Sequence, residues 1–175
     1  QYSDTCKPEI LGVVGNYPRR LDEVYNNGML FHGSDLQGLT DITAYSENGI
    51  SGTSNTAPQP SSWMAQPIRK KWLGDPLVLD SAFQLMILWS FENSGAGSLP
   101  TSLDGYRLYK KSFADAKIII NIKIHKQNKN SIRAGIEFVD THGQLVAKIE
   151  DYECVVDGSL NSAFKNNRLM DETQS

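Results

Sequence analysis

Residues 75–91 read Asp-Pro-Leu-Val-Leu-Asp-Ser-Ala-Phe-Gln-Leu-Met-Ile-Leu-Trp-Ser-Phe, and they limit the fold more than any other stretch. Asp75 followed by Pro76 is a helix-start signal. The carboxylate can cap free backbone N–H groups, and the N–H that proline lacks is not needed at the first helical position. Behind it, apolar side chains fall on nearly every side, from Leu77, Val78 and Leu79 through Ala82 and Phe83 to the run Leu85, Met86, Ile87, Leu88 and Trp89. A helix that is apolar all round is a buried helix. At about 1.5 Å per residue it spans roughly 25 Å and is interrupted, too little to cross a membrane. Asn93 and Gly95 are expected to end it. Whatever else the chain does, it must wrap this helix.

One charged residue lies inside the helix. Asp80 shares a face with Gln84, one turn on. Two readings stand side by side. A buried, unpartnered carboxyl group that keeps its proton can act as a general acid. A carboxylate near the first turn can instead meet water or backbone N–H groups and merely polarise the helix start.

A length of 175 residues suggests one domain, and 39% apolar with 21% charged residues excludes a disordered chain. A net charge of -3 provides no pull toward nucleic acid or an anionic membrane, so neither is expected as a partner. The basic cluster Arg69-Lys70-Lys71 is short, sits beside Trp72 and reads as a solvated loop, with an acidic partner protein as the other option. Cys6 and Cys154 form neither a disulfide framework nor a zinc spacing, so no metal site is expected. A reduced, cytoplasmic setting is the default, and no apolar run resembles a signal peptide. The first residue is Gln, which suggests a piece of a longer protein.

Along the chain, residues 1–9 are polar, and 10–15 form a strand candidate. Residues 18–26 place Leu21, Val24 and Tyr25 at helical spacing, closed by Asn27-Gly28. Residues 29–39 read as a turn feeding a short helix. Residues 40–45 alternate, 46–49 form a hairpin turn, and 50–56 return. A Pro/Ser loop at 57–62 and an irregular stretch to Leu73 follow, with Trp63 and Trp72 expected to pack over the core. After the helix, 94–99 read as a Gly/Ser loop. Four strands are then expected, at 102–110, 116–126, 131–139 and 144–156. The second is the strongest, with Ile118, Ile120, Ile122 and Ile124 on one face. A hairpin, a long buried helix and a four-strand meander predict an α+β hot-dog fold, a curved antiparallel sheet around one helix.

Three segments, in order, resemble the dehydratase domains of polyketide synthases and polyunsaturated fatty acid synthases. Leu30-Phe31-His32-Gly33-Ser34-Asp35-Leu36-Gln37-Gly38-Leu39 is similar to "(L)(F/Y)(H/Y)GPxFQGL". Asp75-Pro76-Leu77-Val78-Leu79-Asp80-Ser81-Ala82-Phe83-Gln84 is similar to "HPxLLDAxxQ". Leu99-Pro100-Thr101-Ser102-Leu103-Asp104-Gly105-Tyr106-Arg107-Leu108 is similar to "LPxSxxGxRL", and the hairpin at 140–147 to "D..G..VA". The family fold is a double hot dog. The resemblance implies that this chain is its C-terminal hot dog, with a leader at 1–17, the domain at 18–157 and a polar tail at 158–175.

The resemblance further implies elimination of water from a β-hydroxyacyl thioester carried on the phosphopantetheine arm of an acyl carrier protein. No other cofactor is implied. Asp80 would be the acid and Gln84 its hydrogen-bonded neighbour. Phe31, His32, Gly33, Gln37 and Pro76 would line the substrate site. The catalytic His would come from an N-terminal hot dog, because the family's "HxxxGxxxxP" occurs nowhere here. The helix N-terminus would add a favourable field near the thioester. Departures are Ser34-Asp35 for the usual Pro-x, Leu36 for Phe and Asp75 for His, and they bear on pocket shape more than on fold. His32 reads as a pocket or structural residue rather than the base, and His125 and His142 as solvated. A hot-dog thioesterase, a product-template relative, and a non-catalytic hot dog for packing or carrier docking are the alternatives. Self-association could replace the missing half.

Overall fold

The computed structural model describes residues 7–9, 13–110, 113 and 116–166. The long helix, α3 (Pro76–Ser94), starts as its sequence requires. The Asp75 side chain accepts hydrogen bonds from the backbone N–H groups of Leu77 and Val78, both at 3.0 Å, and Pro76 occupies the first turn. Gly95 ends the helix in the left-handed conformation, φ 66°, and its N–H reaches Phe91 O at 2.8 Å. A residue with a Cβ pays a steric penalty there, which is why glycine closes so many helices. Every side of α3 is buried somewhere along its length, at Val78, Ala82, Leu85, Met86, Leu88 and Trp89 among others.

Seven strands form one antiparallel sheet around that helix, in the order β1-β2-β5-β6-β7-β3, with β4 also paired to β7. They are β1 (Leu39–Ser46), β2 (Gly49–Asn55), β3 (Gly97–Asp104), β4 (Arg107–Leu108), β5 (Lys117–Gln127), β6 (Ser131–Val139) and β7 (Leu145–Asp157). The connection β2–α3–β3 carries the chain from one side of the sheet to its far edge, so α3 lies across the inner face. Period-two alternation decides what meets it. Ile118, Ile120 and Ile122 of β5, Ile132, Ala134 and Ile136 of β6, and Ala147, Ile149 and Tyr152 of β7 are all buried. Ile124, farther along β5, is only half-buried. The turn after β6 is held by Asp140, whose carboxylate accepts from His142 N at 3.0 Å and Gln144 N at 2.8 Å. This is the hot-dog architecture that the pattern predicts.

Four local expectations are corrected. The strand candidate at 10–15 falls partly outside the described residues, and 13–15 are not in a strand; Gly15 O accepts from Tyr45 N at 3.0 Å. The Gly/Ser loop at 94–99 is half strand, because β3 already begins at Gly97, where small residues let Phe164 pack close. The polar tail opens with a helix, α4 (Ser159–Asn166), which buries Phe164 against Phe31 at a ring distance of 4.7 Å. The packed body therefore extends past 157. Trp63, at the end of the short helix α2 (Pro60–Trp63), and Trp72 pack on each other 5.9 Å apart rather than over the core. Trp72 Nε1 donates to Pro58 O, which ties down the loop. Among the described residues no helix is long and apolar enough to cross a membrane.

Candidate active site

The site is assembled where α1 (Leu21–Asn26) and a single turn of 3-10 helix (Ser34–Leu36) cross the first turns of α3. Gln84 lies wholly buried at its centre. Its Nε2 donates to Asp80 Oδ2 at 2.7 Å and to Leu36 O at 2.7 Å. Its Oε1 accepts from Tyr25 OH at 2.7 Å. The one-turn spacing of Asp80 and Gln84 places both on the same helix face, so the pairing follows from the sequence. His32 comes in from the loop before the 3-10 turn, and its Nε2 lies 3.5 Å from Asp80 Oδ2.

The Asp80 carboxylate differs from the buried, unpartnered acid of the first reading. Its side chain is 28% exposed and it has a firm donor in Gln84. It is anchored on one side and open on the other, which is what a group that must touch a substrate requires. The helix N-terminus is also not free as expected. The N–H groups of Leu77 and Val78 are taken by Asp75, which also accepts from Ala57 N at 2.9 Å. Those two amides are occupied by the Asp75 carboxylate, which also holds Ala57, and so they are not available to a thioester oxygen. Burial pushes the Asp75 carboxyl above the usual carboxylate range, against the pull of the three N–H donors.

Of the remaining sequence-derived candidates, Phe31 stacks on His32, with rings 4.3 Å apart at 24°. Gly33 caps the 3-10 turn, and Pro76 is half-buried one turn before Asp80. Gln37 is exposed, and its amide donates to His32 O at 3.1 Å, so it braces the loop that carries His32. A cleft of about 470 Å³ opens elsewhere, between the 56–60 segment, Lys70, Lys71 and Trp72; it reaches Asp75 but none of His32, Asp80 or Gln84. Tyr25, the Leu36 carbonyl and the Leu39 N–H are the site groups the sequence did not reveal. Tyr25 carried only the signal of a core residue on a short amphipathic helix. His125 and His142 are exposed, as expected.

His32 is buried, its Nδ1 has no hydrogen-bond partner, and burial depresses its basicity despite the nearby Asp80. A lowered folded-state value means the unfolded chain binds the proton first as pH falls. Stability contributed by neutral His32 is thus complete above pH 6.5, its ordinary value, and is lost as pH drops toward the depressed one. His32→Gln is expected to flatten the fall in unfolding free energy between neutral pH and pH 5, by at most about 1.4 kcal/mol per pH unit. His125 and Asp75 also titrate differently in the fold, but they are common to both proteins and cancel in the comparison. Parallel thermal-denaturation profiles would remove this role of His32.

A single helix sheathed by a curved antiparallel sheet is the hot-dog fold. The chain belongs to the family described as the polyketide synthase dehydratase N-terminal domain, which matches residues 15–159. It is 24% identical over 139 residues to one subunit of the polyunsaturated fatty acid synthase of Thraustochytrium sp. (strain ATCC 26185 / S-3), covering 74% of this chain and 5% of that protein. Among solved structures, it resembles the dehydratase domain from the CurF module of curacin polyketide synthase, at TM-score 0.65, 19% identity, and 90% coverage of this chain against 55% of that one. The dehydratase domain from the CurJ module matches at TM-score 0.60 and 20% identity, over 80% of this chain and 50% of that one. The chain thus spans about half of these dehydratase domains.

Proposed function

We propose that this chain is the aspartate-bearing, C-terminal hot dog of a synthase dehydratase domain. It would eliminate water from a β-hydroxyacyl thioester held on the phosphopantetheine arm of an acyl carrier protein, with no metal and no further cofactor. The observation that carries this reading is the partly exposed Asp80 carboxylate held by Gln84 at 2.7 Å inside the His32 loop. The matched family carries an N-terminal label, whereas the C-terminal reading rests on Asp80 and Gln84 and on a sequence without "HxxxGxxxxP". The hot-dog body would take in α4 beyond residue 157.

The chemistry needs two groups on opposite sides of the substrate. A base takes the α-proton as an enolate develops, and an acid delivers a proton to the β-hydroxyl as the C–O bond breaks. Asp80 is the acid. Gln84 fixes the carboxyl group so that its open side faces the leaving oxygen. The base is a histidine of the N-terminal hot dog, which also closes the site against water. Phe31, His32, Gly33 and Pro76 shape the wall beside the acid, and Gln37 supports it. The setting is cytoplasmic, and the partners are the carrier protein and the other hot dog, with a second copy of this chain as a substitute.

The reading is tested by supplying a β-hydroxyacyl thioester to this chain alone and to the synthase that contains it. Loss of one water by mass is expected from the synthase, and little or none from the chain alone. Robust dehydration by the isolated chain would remove the need for a second half. Release of free acid would make it a thioesterase, and binding of carrier protein without chemistry a docking module.

A further inference from the structure

We propose that Tyr25 is a positioning residue for Asp80, acting through Gln84. This rests on the reading of Asp80 as the acid and adds the device that aims it. The Tyr25 hydroxyl accepts a hydrogen bond from Leu39 N at 3.3 Å. Its own proton therefore goes to Gln84 Oε1, at 2.7 Å. That fixes which end of the amide is which. The NH₂ group is left on the far side, where it meets two acceptors, Leu36 O and Asp80 Oδ2, each at 2.7 Å. A reversed amide would set oxygen against both of them and would take from the Tyr25 proton the oxygen it now donates to.

The donors thus run one way, from Leu39 N–H through Tyr25 and Gln84 to the Asp80 carboxylate. The links come from three segments, the start of β1, α1 and α3, and the 3-10 turn adds the second acceptor, Leu36 O. Both Tyr25 and Gln84 are buried, so water is not at hand to replace a lost partner. Burial also pushes the Tyr25 phenol far above its ordinary range, which keeps it a donor at any pH the fold meets. The groups that face Asp80 are Gln84 from its own helix and His32 from the loop, and neither is replaced by the change that tests the relay.

Tyr25→Phe keeps the ring and removes the hydroxyl. In the synthase that contains this chain, it is expected to lower kcat for dehydration about 10-fold, with KM changed less than about 2-fold. Gln84→Leu is expected to cost at least as much, and the double variant no more than Gln84→Leu alone, because both break one relay. Unchanged kcat in Tyr25→Phe, or losses that multiply in the double variant, would overturn the proposal. Asp80→Asn is the control: dehydration surviving it overturns the site and the relay together, while its loss beside a normal Tyr25→Phe overturns the relay alone. Should Tyr25→Phe not fold, NMR of the unsubstituted chain decides. Two separate, slowly exchanging Gln84 amide protons are expected, and a fast-exchanging, averaged pair overturns the relay.

Discussion

Gly38→Val is expected to destabilise the fold by at least about 1–3 kcal/mol and to reduce activity with it. Gly38 has no unusual backbone angle to protect; the constraint is distance. A Cβ built there would lie 2.5 Å from Ser81 Oγ and 2.7 Å from Leu77 Cγ. Both belong to α3, and Ser81 is the neighbour of Asp80. The backbone of Gly38 cannot retreat, because its carbonyl accepts from Asn55 N at 2.9 Å on the strand side. The helix must move instead, and a displacement on the order of 1 Å at a reacting group can cost about 100-fold in rate. Urea denaturation checks the stability term. Leu77→Ala, destabilising alone, should cost less in the Gly38→Val background than by itself, since it vacates the contested space. A Gly38→Val protein with the parent's midpoint would show that the contact is not tight.

The role of Gly38 also shows where the sequence was legible. Asp75-Pro76, the apolar run and Gly95 define α3 because capping chemistry and burial act locally. The isoleucines of β5 define their strand for the same reason. Asp80 and Gln84 pair because they sit one helical turn apart. What remained hidden depends on the tertiary path. His32 lies 3.5 Å from Asp80 but far from it along the chain, and only the resemblance brought the two segments together. Tyr25 shows how a pattern misleads, since the spacing that marks a core residue is silent about a hydroxyl that orders the site. The helix α4 escaped because its one buried anchor, Phe164, stands among polar residues. Neither reading of Asp80 alone describes it, since the carboxylate has a donor in Gln84 and is also 28% exposed. Apolar neighbours along a helix do not reveal that one face opens to solvent.

Asp80→Asn has the largest expected effect on chemistry. Asparagine keeps the size of the side chain and can still face Gln84, so the fold should survive. It cannot deliver the proton that the departing hydroxyl needs. General acid catalysis typically supplies about 10²–10⁴-fold, and that is the expected loss in kcat. Substrate binding should change much less, because Phe31, His32 and Pro76 are untouched. The direct measurement is the rate of water loss from a carrier-bound β-hydroxyacyl chain, by mass, in the parent synthase and its Asp80→Asn variant, with the melting temperature of each. A loss of about 10²-fold or more at an unchanged melting temperature is expected. An unchanged rate would contradict Asp80 as the acid.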